Sequence, residues 1–149
     1  MKSVARLFWL WFVLGSFYAV LETVWRGGTT HPVMVLVGGL CGVCVSQIAQ
    51  LRQLRGAPVL LMSLIGTSIV LLIEFASGCV LNLWWGWDVW DYAERPVNLF
   101  GQICLLYAAL WFVIMPFVIW LTGWLRCKWW GEPHPGAPWL LYANLVRGR

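Results

Sequence analysis

Long blocks of apolar residues alternate with short polar segments along this chain of 149 residues, and the pattern predicts helices that cross a membrane. An α-helix rises about 1.5 Å per residue, so about 20 apolar residues span the hydrocarbon core of a bilayer. Four blocks are long enough, at residues 4–25, 32–51, 59–80 and 97–125. The predicted fold is therefore an all-α membrane protein, a compact bundle of four transmembrane helices.

The segments between the blocks predict turns and one longer connector. Residues 81–96 form this connector, which is rich in tryptophan and acidic residues. Residues 126–149 contain several glycines and prolines and predict a short irregular tail. Pro116 lies inside the fourth block, where it favours a kink. The whole chain, residues 1–149, is expected to form a single domain.

Basic residues are divided unevenly between the two sides of this bundle. Four spans place both termini on one side, and eight of the ten Lys and Arg residues fall on that side. Because basic loops favour the cytoplasmic side, both termini are predicted to be cytoplasmic and the connector to face outward. Lys2 and Arg6 also fit a secretory signal peptide, but the run after them lacks a small-residue cleavage site, so the first helix is expected to be retained.

Composition and charge support the membrane interpretation. The chain is 61% hydrophobic and 11% charged, whereas soluble domains carry about 25% charged residues. The net charge of +4 comes from residues that flank apolar blocks, so it does not predict nucleic-acid binding. Cys41 and Cys44 have C-x-x-C spacing, but no second pair or nearby histidine completes a metal site. Neither a metal nor another cofactor is expected.

Polar residues from all four helices fall in the outer half of the predicted bundle. Glu74 is the most deeply placed acid, about two-thirds of the way across at 1.5 Å per residue. Ionisable groups at such depth usually face partners or a wet cavity, so an outward-facing polar pocket centred on Glu74 is predicted. A purely structural Glu74, and a structural Glu22–Arg26 ion pair, are the alternatives. The candidate ligand-binding residues are Glu22, Arg26, His31, Glu74, Asn82, Asp91, Asn98 and Gln102.

The second helix carries a pattern of small residues typical of close helix packing. Gly38, Gly42 and Ser46 recur at every fourth position and therefore lie on one face. Small residues at this spacing let two helix backbones approach closely in a membrane. These three residues are the predicted helix-packing positions.

Several short motifs resemble a known family. They are Glu22-x-x-x-Arg26-Gly27, Thr30-His31, Gly38-Gly39, Glu74-Phe75-x-x-Gly78-x-x-x-Asn82, Trp90-Asp91-Tyr92, Pro96-x-Asn98-x-x-Gly101-Gln102-Ile103-Cys104, Trp111 and Gly131-Glu132-x-His134. Together they resemble the small membrane proteins described as putative ABC-transporter permeases, the type IV, CmpB-like family. The resemblance implies a polytopic membrane protein. Gln50, in place of an acidic residue, and Ala93-Glu94 depart from the family pattern.

The function favoured at this point is a permease-like or accessory subunit. The sequence has no G-x-x-x-x-G-K-[ST] phosphate-binding loop, so any ATPase would be a separate chain. The expected partners are the lipid bilayer and either a second copy or another membrane subunit. An intramembrane enzyme acting on a lipid-linked substrate is less favoured because the chain lacks H-E-x-x-H and G-x-S-x-G motifs. A purely structural or regulatory subunit of a larger complex remains a third interpretation.

Overall fold

A computed structural model describes residues 2–51, 54 and 56–148. Arg52 and Arg55 of the expected basic turn, and Arg149 at the end, lie outside these residues. The elements in chain order are α1 (Lys2–Arg26), α2 (Val33–Ala49), α3 (Val59–Gly78), a π-helical turn (Cys79–Trp84), β1 (Asn98–Leu99), β2 (Ile103–Cys104), α4 (Leu105–Trp130) and α5 (Pro138–Val146).

Three helical segments of the described chain are long and apolar enough to cross a membrane. They are Val4–Arg26, Val59–Trp84 and Leu105–Trp130, whereas α2 is a shorter apolar helix of 17 residues. The structure confirms an all-helical chain of the membrane type, apart from two strands of two residues each. That α2 also crosses the membrane stays a prediction.

Helices α1 and α2 form the most extensive helix pair, and glycines make their approach possible. A methyl group at Gly38 would lie 2.7 Å from the Tyr18 side chain, and one at Gly42 would lie 2.6 Å from Leu14. Both distances are far below van der Waals contact, so the two helices pack at this separation only because these positions lack a side chain. Ser46, the third residue of the pattern, is fully buried.

Two apolar clusters fill the bundle, one toward each end. The larger joins α2, α3 and α4 through Val37, Val70 and Met115 and continues into the connector at Trp90. The smaller joins the first half of α1 to the last turns of α4 through Leu10 and Leu125. Consequently the start of α1 and the end of α4 lie at the same end of the molecule. The opposite end, called the loop end below, holds the end of α1 and the connector.

The fourth apolar block begins as a hairpin and not as a helix. Helix α4 begins at Leu105, eight residues after the expected start at Val97, and β1 pairs with β2 across the intervening turn. Val97, Phe100 and Gly101 have φ values of 53°, 51° and 69°. These left-handed conformations cannot continue a right-handed helix. The predicted placement of Asn98 and Gln102 on a helix is therefore wrong.

The tail contains more regular structure than its composition predicts. Helix α4 continues to Trp130, five residues past the expected end at Leu125, and runs uninterrupted through Pro116. Gly131, with φ 69°, ends it in a left-handed cap. Helix α5 then begins at Pro138, a residue suited to the first helical position. The expected irregular tail is therefore corrected at residues 138–146.

Candidate functional site

Glu74 is the deepest acidic residue of the bundle, and only half of its carboxylate is hydrogen-bonded. It lies on α3 with 6% of its surface exposed. Its Oε1 accepts a 3.0 Å hydrogen bond from the indole Nε1 of Trp111 on α4. Its Oε2 is buried and has no hydrogen-bond partner among the described residues. Burying a carboxylate oxygen without a hydrogen-bond donor costs free energy, so such an atom is a candidate ligand-binding group.

Aromatic side chains pack against the same apolar cluster as Trp111, the partner of Glu74. Tyr18 on α1 stacks on the Trp111 ring with centroids 5.7 Å apart, and Tyr92 in the connector stacks on Tyr107 of α4 at 4.6 Å. Burial, followed by the nearby Glu74 carboxylate, raises the pKa of the Tyr92 hydroxyl above its ordinary value. Tyr92 is therefore neutral at physiological pH and can act as a hydrogen-bond donor.

Two hydroxyl groups continue the polar surface of α3 below Glu74. Ser63 Oγ and Thr67 Oγ1 are also buried without a hydrogen-bond partner among the described residues. At 100° per residue, Ser63, Thr67 and Glu74 fall within a sector of roughly 40° on one face of α3. Val70 occupies the same face between Thr67 and Glu74 and is fully apolar. Ser63 and Thr67 were not among the candidate residues, because serine and threonine are common in apolar helices.

Glu22 and Arg26 form a closed ion-pair cluster at the loop end. The Arg26 guanidinium lies 2.9 Å from Glu22 Oε1, and Thr30 donates a 2.7 Å hydrogen bond to Glu22 Oε2. Arg26 also donates to the carbonyl of Val89 in the connector, at 3.3 and 3.4 Å. Both carboxylate oxygens of Glu22 are thereby engaged. The cluster ties the end of α1 to the connector.

Asn82 is the centre of a buried hydrogen-bond network. Its Nδ2 donates to the carbonyl of Trp90 at 2.9 Å and to Oε1 of Gln102 at 2.8 Å, and its Oδ1 accepts from the Val89 amide at 2.8 Å. The Trp90 indole in turn donates to the Gln102 carbonyl at 3.0 Å. The π-helical turn positions Asn82 to face the connector. Asn82 and Gln102 therefore fix the fold of the connector.

Asn98 and Asp91 stabilise turns in the same way. Asn98 donates to the carbonyls of Ala93 and Arg95 at 3.0 and 2.8 Å and accepts from the Gly101 amide at 3.0 Å. Asp91 is exposed and accepts a 2.8 Å hydrogen bond from the Ala93 amide. These contacts are typical of side chains that replace backbone hydrogen bonds in turns. The contacts of Asn98 use both of its N–H donors and one of the two lone pairs of its Oδ1.

His31 contacts the connector and the start of α2. Its ring packs against Trp87 with centroids 5.4 Å apart, and its Nδ1 accepts a 3.2 Å hydrogen bond from the Val33 amide at the start of α2. No group of three His, Cys, Asp or Glu side chains within the described ranges converges in a way that could hold a metal ion. His31 acts here as a helix-start residue.

Two surface depressions in the described part of the chain are lined by residues other than Glu74. One of about 420 Å³ is lined by Asp91, Glu94 and Arg95 in the connector. The other, of about 350 Å³, is an apolar groove between α2 and α3 that includes Leu36 and Leu72. The structure thus joins Glu74 to Trp111, whereas the hydrogen bonds of Asp91, Asn98 and His31 go to other described residues. In this conformation Glu74 is buried.

Residues 9–134 match the model of a family described as "Putative ABC-transporter type IV". The chain belongs to this family. The match spans the helices α1 to α4, the connector and the candidate residues from Glu22 to Gln102, and it ends before α5. Searches of curated proteins and of solved structures found no match.

Membership of this transporter family agrees with the apolar composition of the chain and with its long apolar helices. The residues that sequence reasoning missed are those that contact Glu74 and Glu22 across the fold. Trp111 is 37 positions from Glu74, and Thr30 is eight positions from Glu22. Both occur in the motifs that resemble the family, but spacing alone gives no signal for a contact between separate helices.

Proposed function

We propose that this chain is a membrane-embedded, permease-like or accessory component of a transporter, and that it binds its ligand at Glu74. The observation that carries the proposal is the buried Oε2 of Glu74, which has no donor among the described residues although it lies on a membrane-type helix. Intramembrane carboxylates usually mark substrate or ion pathways. Membership of a transporter family supports the same interpretation.

A cation is the ligand class that suits this site. When Glu74 is ionised, its oxygen without a partner among the described residues supplies negative charge to a cation. Arg26 does not neutralise Glu74, since its guanidinium is paired with Glu22. Glu74 is buried in this conformation, so binding requires a movement that exposes its carboxylate. Transport proteins commonly bind substrate through such gating movements.

Ligand-induced stabilisation of the purified protein tests the site. The melting temperature would be measured in sodium, potassium and tetramethylammonium chloride at constant ionic strength. A ligand at 100 times its dissociation constant stabilises a protein by about 2.7 kcal/mol, which is readily detected as a rise in melting temperature. We expect one of the cations to stabilise the wild type and to have no effect on Glu74→Gln. The glutamine retains an oxygen that accepts the Trp111 hydrogen bond.

Glu94→Gln is the matched control, because Glu94 is an exposed connector residue. It removes the same charge without affecting the buried site, so the cation should stabilise it as it does the wild type. Equal stabilisation of the Glu74→Gln protein would contradict binding at Glu74. A wild-type protein that none of the three cations stabilises would contradict the cation proposal.

The proposed topology has four spans, both termini in the cytoplasm and the loop end facing outward. The positive-inside distribution of Lys and Arg supports it. In this topology the polar site opens to the outside, and any ATPase is a separate chain that meets the cytoplasmic end. A cysteine introduced at Glu94 should react with a membrane-impermeant maleimide from outside intact cells. Reaction only after the membrane is opened would contradict the orientation.

A structural subunit is the second candidate function, favoured by the hydrogen bonds of the connector. The side chains of Asn82, Asn98 and Gln102 are all bonded within the chain, so they offer little to a ligand. Under this alternative Glu74 serves only to join α3 to α4 through Trp111. Full function of Glu74→Gln in cells would favour the structural role over the binding site.

A further inference from the structure

The segment after α4 runs back along the helix it has just left. The Arg126 side chain holds Glu132 with two hydrogen bonds of 2.8 and 2.7 Å, which fixes the reversal beside the Gly131 cap. Farther along, a methyl group at Gly123 would lie 3.3 Å from Pro135. The indole of Trp120 donates a 2.9 Å hydrogen bond to the carbonyl of Gly136. The chain has therefore returned to the level of Trp120 when α5 begins.

The position of Trp120 along α4 sets the depth of this return. Trp120 is ten residues before the end of α4 at Trp130, a distance of about 15 Å along the axis. Counted from Leu105 at the loop end, Trp120 lies about 22 Å along a helix that needs about 30 Å to cross the hydrocarbon core. With the hydrocarbon core taken to begin at Leu105, the start of α5 is roughly 8 Å inside the membrane boundary near the end of α4.

The exposed surface of helix α5 is typical of a segment that faces lipid. Its nine residues contain no charged side chain and none is buried, although the helix packs against both α3 and α4. Trp139, Leu140 and Val146 are 69%, 54% and 88% exposed. Arg147 follows the helix directly and is exposed, so its long side chain can reach headgroups. Interfacial helices bury their apolar face about 5–10 Å below the headgroups.

We propose that α5 is embedded in the membrane leaflet at which α4 ends, with Trp139 and Leu140 in contact with lipid acyl chains. Lipid is the occupant because α5 begins beside Trp120, within a membrane-type helix, and its exposed side chains are uncharged and largely apolar. The C-terminal segment is then a membrane-anchored part of the bundle and not an aqueous tail. It covers the side of α4 near Phe117 and Trp120.

Spin labels at single cysteines test this placement in liposomes. The five native cysteines would first be replaced, and labels then attached at Trp139 or Leu140, with Leu72 as a lipid-facing reference and Glu94 as an aqueous reference. Molecular oxygen reports lipid exposure, and a polar nickel chelate reports water exposure. We expect the α5 labels to resemble Leu72, with strong relaxation by oxygen and little by the chelate.

Relaxation by the nickel chelate as strong as at Glu94 would show that α5 lies in water and would overturn the proposal. Protection from both reagents would also overturn it, because α5 would then be covered by protein, such as a second copy. Trp120→Phe removes the hydrogen bond to Gly136 while keeping an aromatic ring. We expect it to increase label mobility at Trp139 at unchanged depth, since lipid still holds the helix.

Discussion

Replacing Asn82 with alanine should unfold the connector before the helices. The Asn82 side chain makes three hydrogen bonds of 2.8–2.9 Å, to Trp90, Gln102 and Val89. All three partner residues are buried, so the substitution leaves their polar groups without a hydrogen-bond partner and without access to water. Each hydrogen bond contributes about 1 kcal/mol net, and each buried partner left unpaired costs about 1–3 kcal/mol. The expected loss of stability is roughly 3–5 kcal/mol.

Unfolding in mixed micelles titrated with sodium dodecyl sulfate measures this loss. Asn144→Ala is the control, since Asn144 is only half-buried and its side chain makes no hydrogen bond to the described residues. Asn82→Asp should not restore the stability, because it keeps the acceptor for the Val89 amide but sets a buried carboxylate oxygen against the acceptor oxygens of Trp90 and Gln102. If Asn82→Ala and Asn144→Ala differed by less than 0.5 kcal/mol, roughly half the contribution of one hydrogen bond, the network would have no structural role.

Further predictions concern packing and backbone strain. Gly38→Ala should destabilise the α1–α2 pair by about 1–3 kcal/mol, because the added methyl group overpacks against Tyr18. Gly28→Ala is the control and should leave the stability unchanged, since no atom lies within 4 Å of its added methyl group. Equal unfolding curves for the two variants would contradict the prediction. Val97→Gly should stabilise the protein by about 1 kcal/mol, because it relieves the strain of a β-branched residue at φ 53° whose side chain is 73% exposed. A drop in stability would show that the Val97 side chain makes a necessary contact.

The sequence predicted the helices well because apolar block length is a direct signal of a membrane span. It failed at residues 97–104, where the apolar composition continues but the backbone turns. Positive φ at Val97 and Phe100 is imposed by the surrounding hydrogen bonds, and neither residue type favours it. Residue propensities therefore did not indicate a turn here, and a helix was expected where a hairpin forms.

The candidate site was predicted in part. Glu74 was recognised because a carboxylate inside an apolar block is unusual, and the structure does place it in a buried position. Asp91, Asn98 and Gln102 were grouped with it by depth alone. Depth does not determine which way a side chain points, and these three residues instead bond to the connector backbone. Trp111, the direct partner of Glu74, comes from a separate helix and is fixed only by the packing of α3 against α4.

Copurification from native membranes most directly tests whether this chain is the membrane component of a transporter. The tagged protein would be extracted in mild detergent, and its associated proteins identified and quantified by mass spectrometry, with an unrelated tagged membrane protein as control. We expect a nucleotide-binding ATPase subunit in stoichiometric amount, since the chain itself has no phosphate-binding loop. Recovery of the chain without any nucleotide-binding protein would contradict the transporter function.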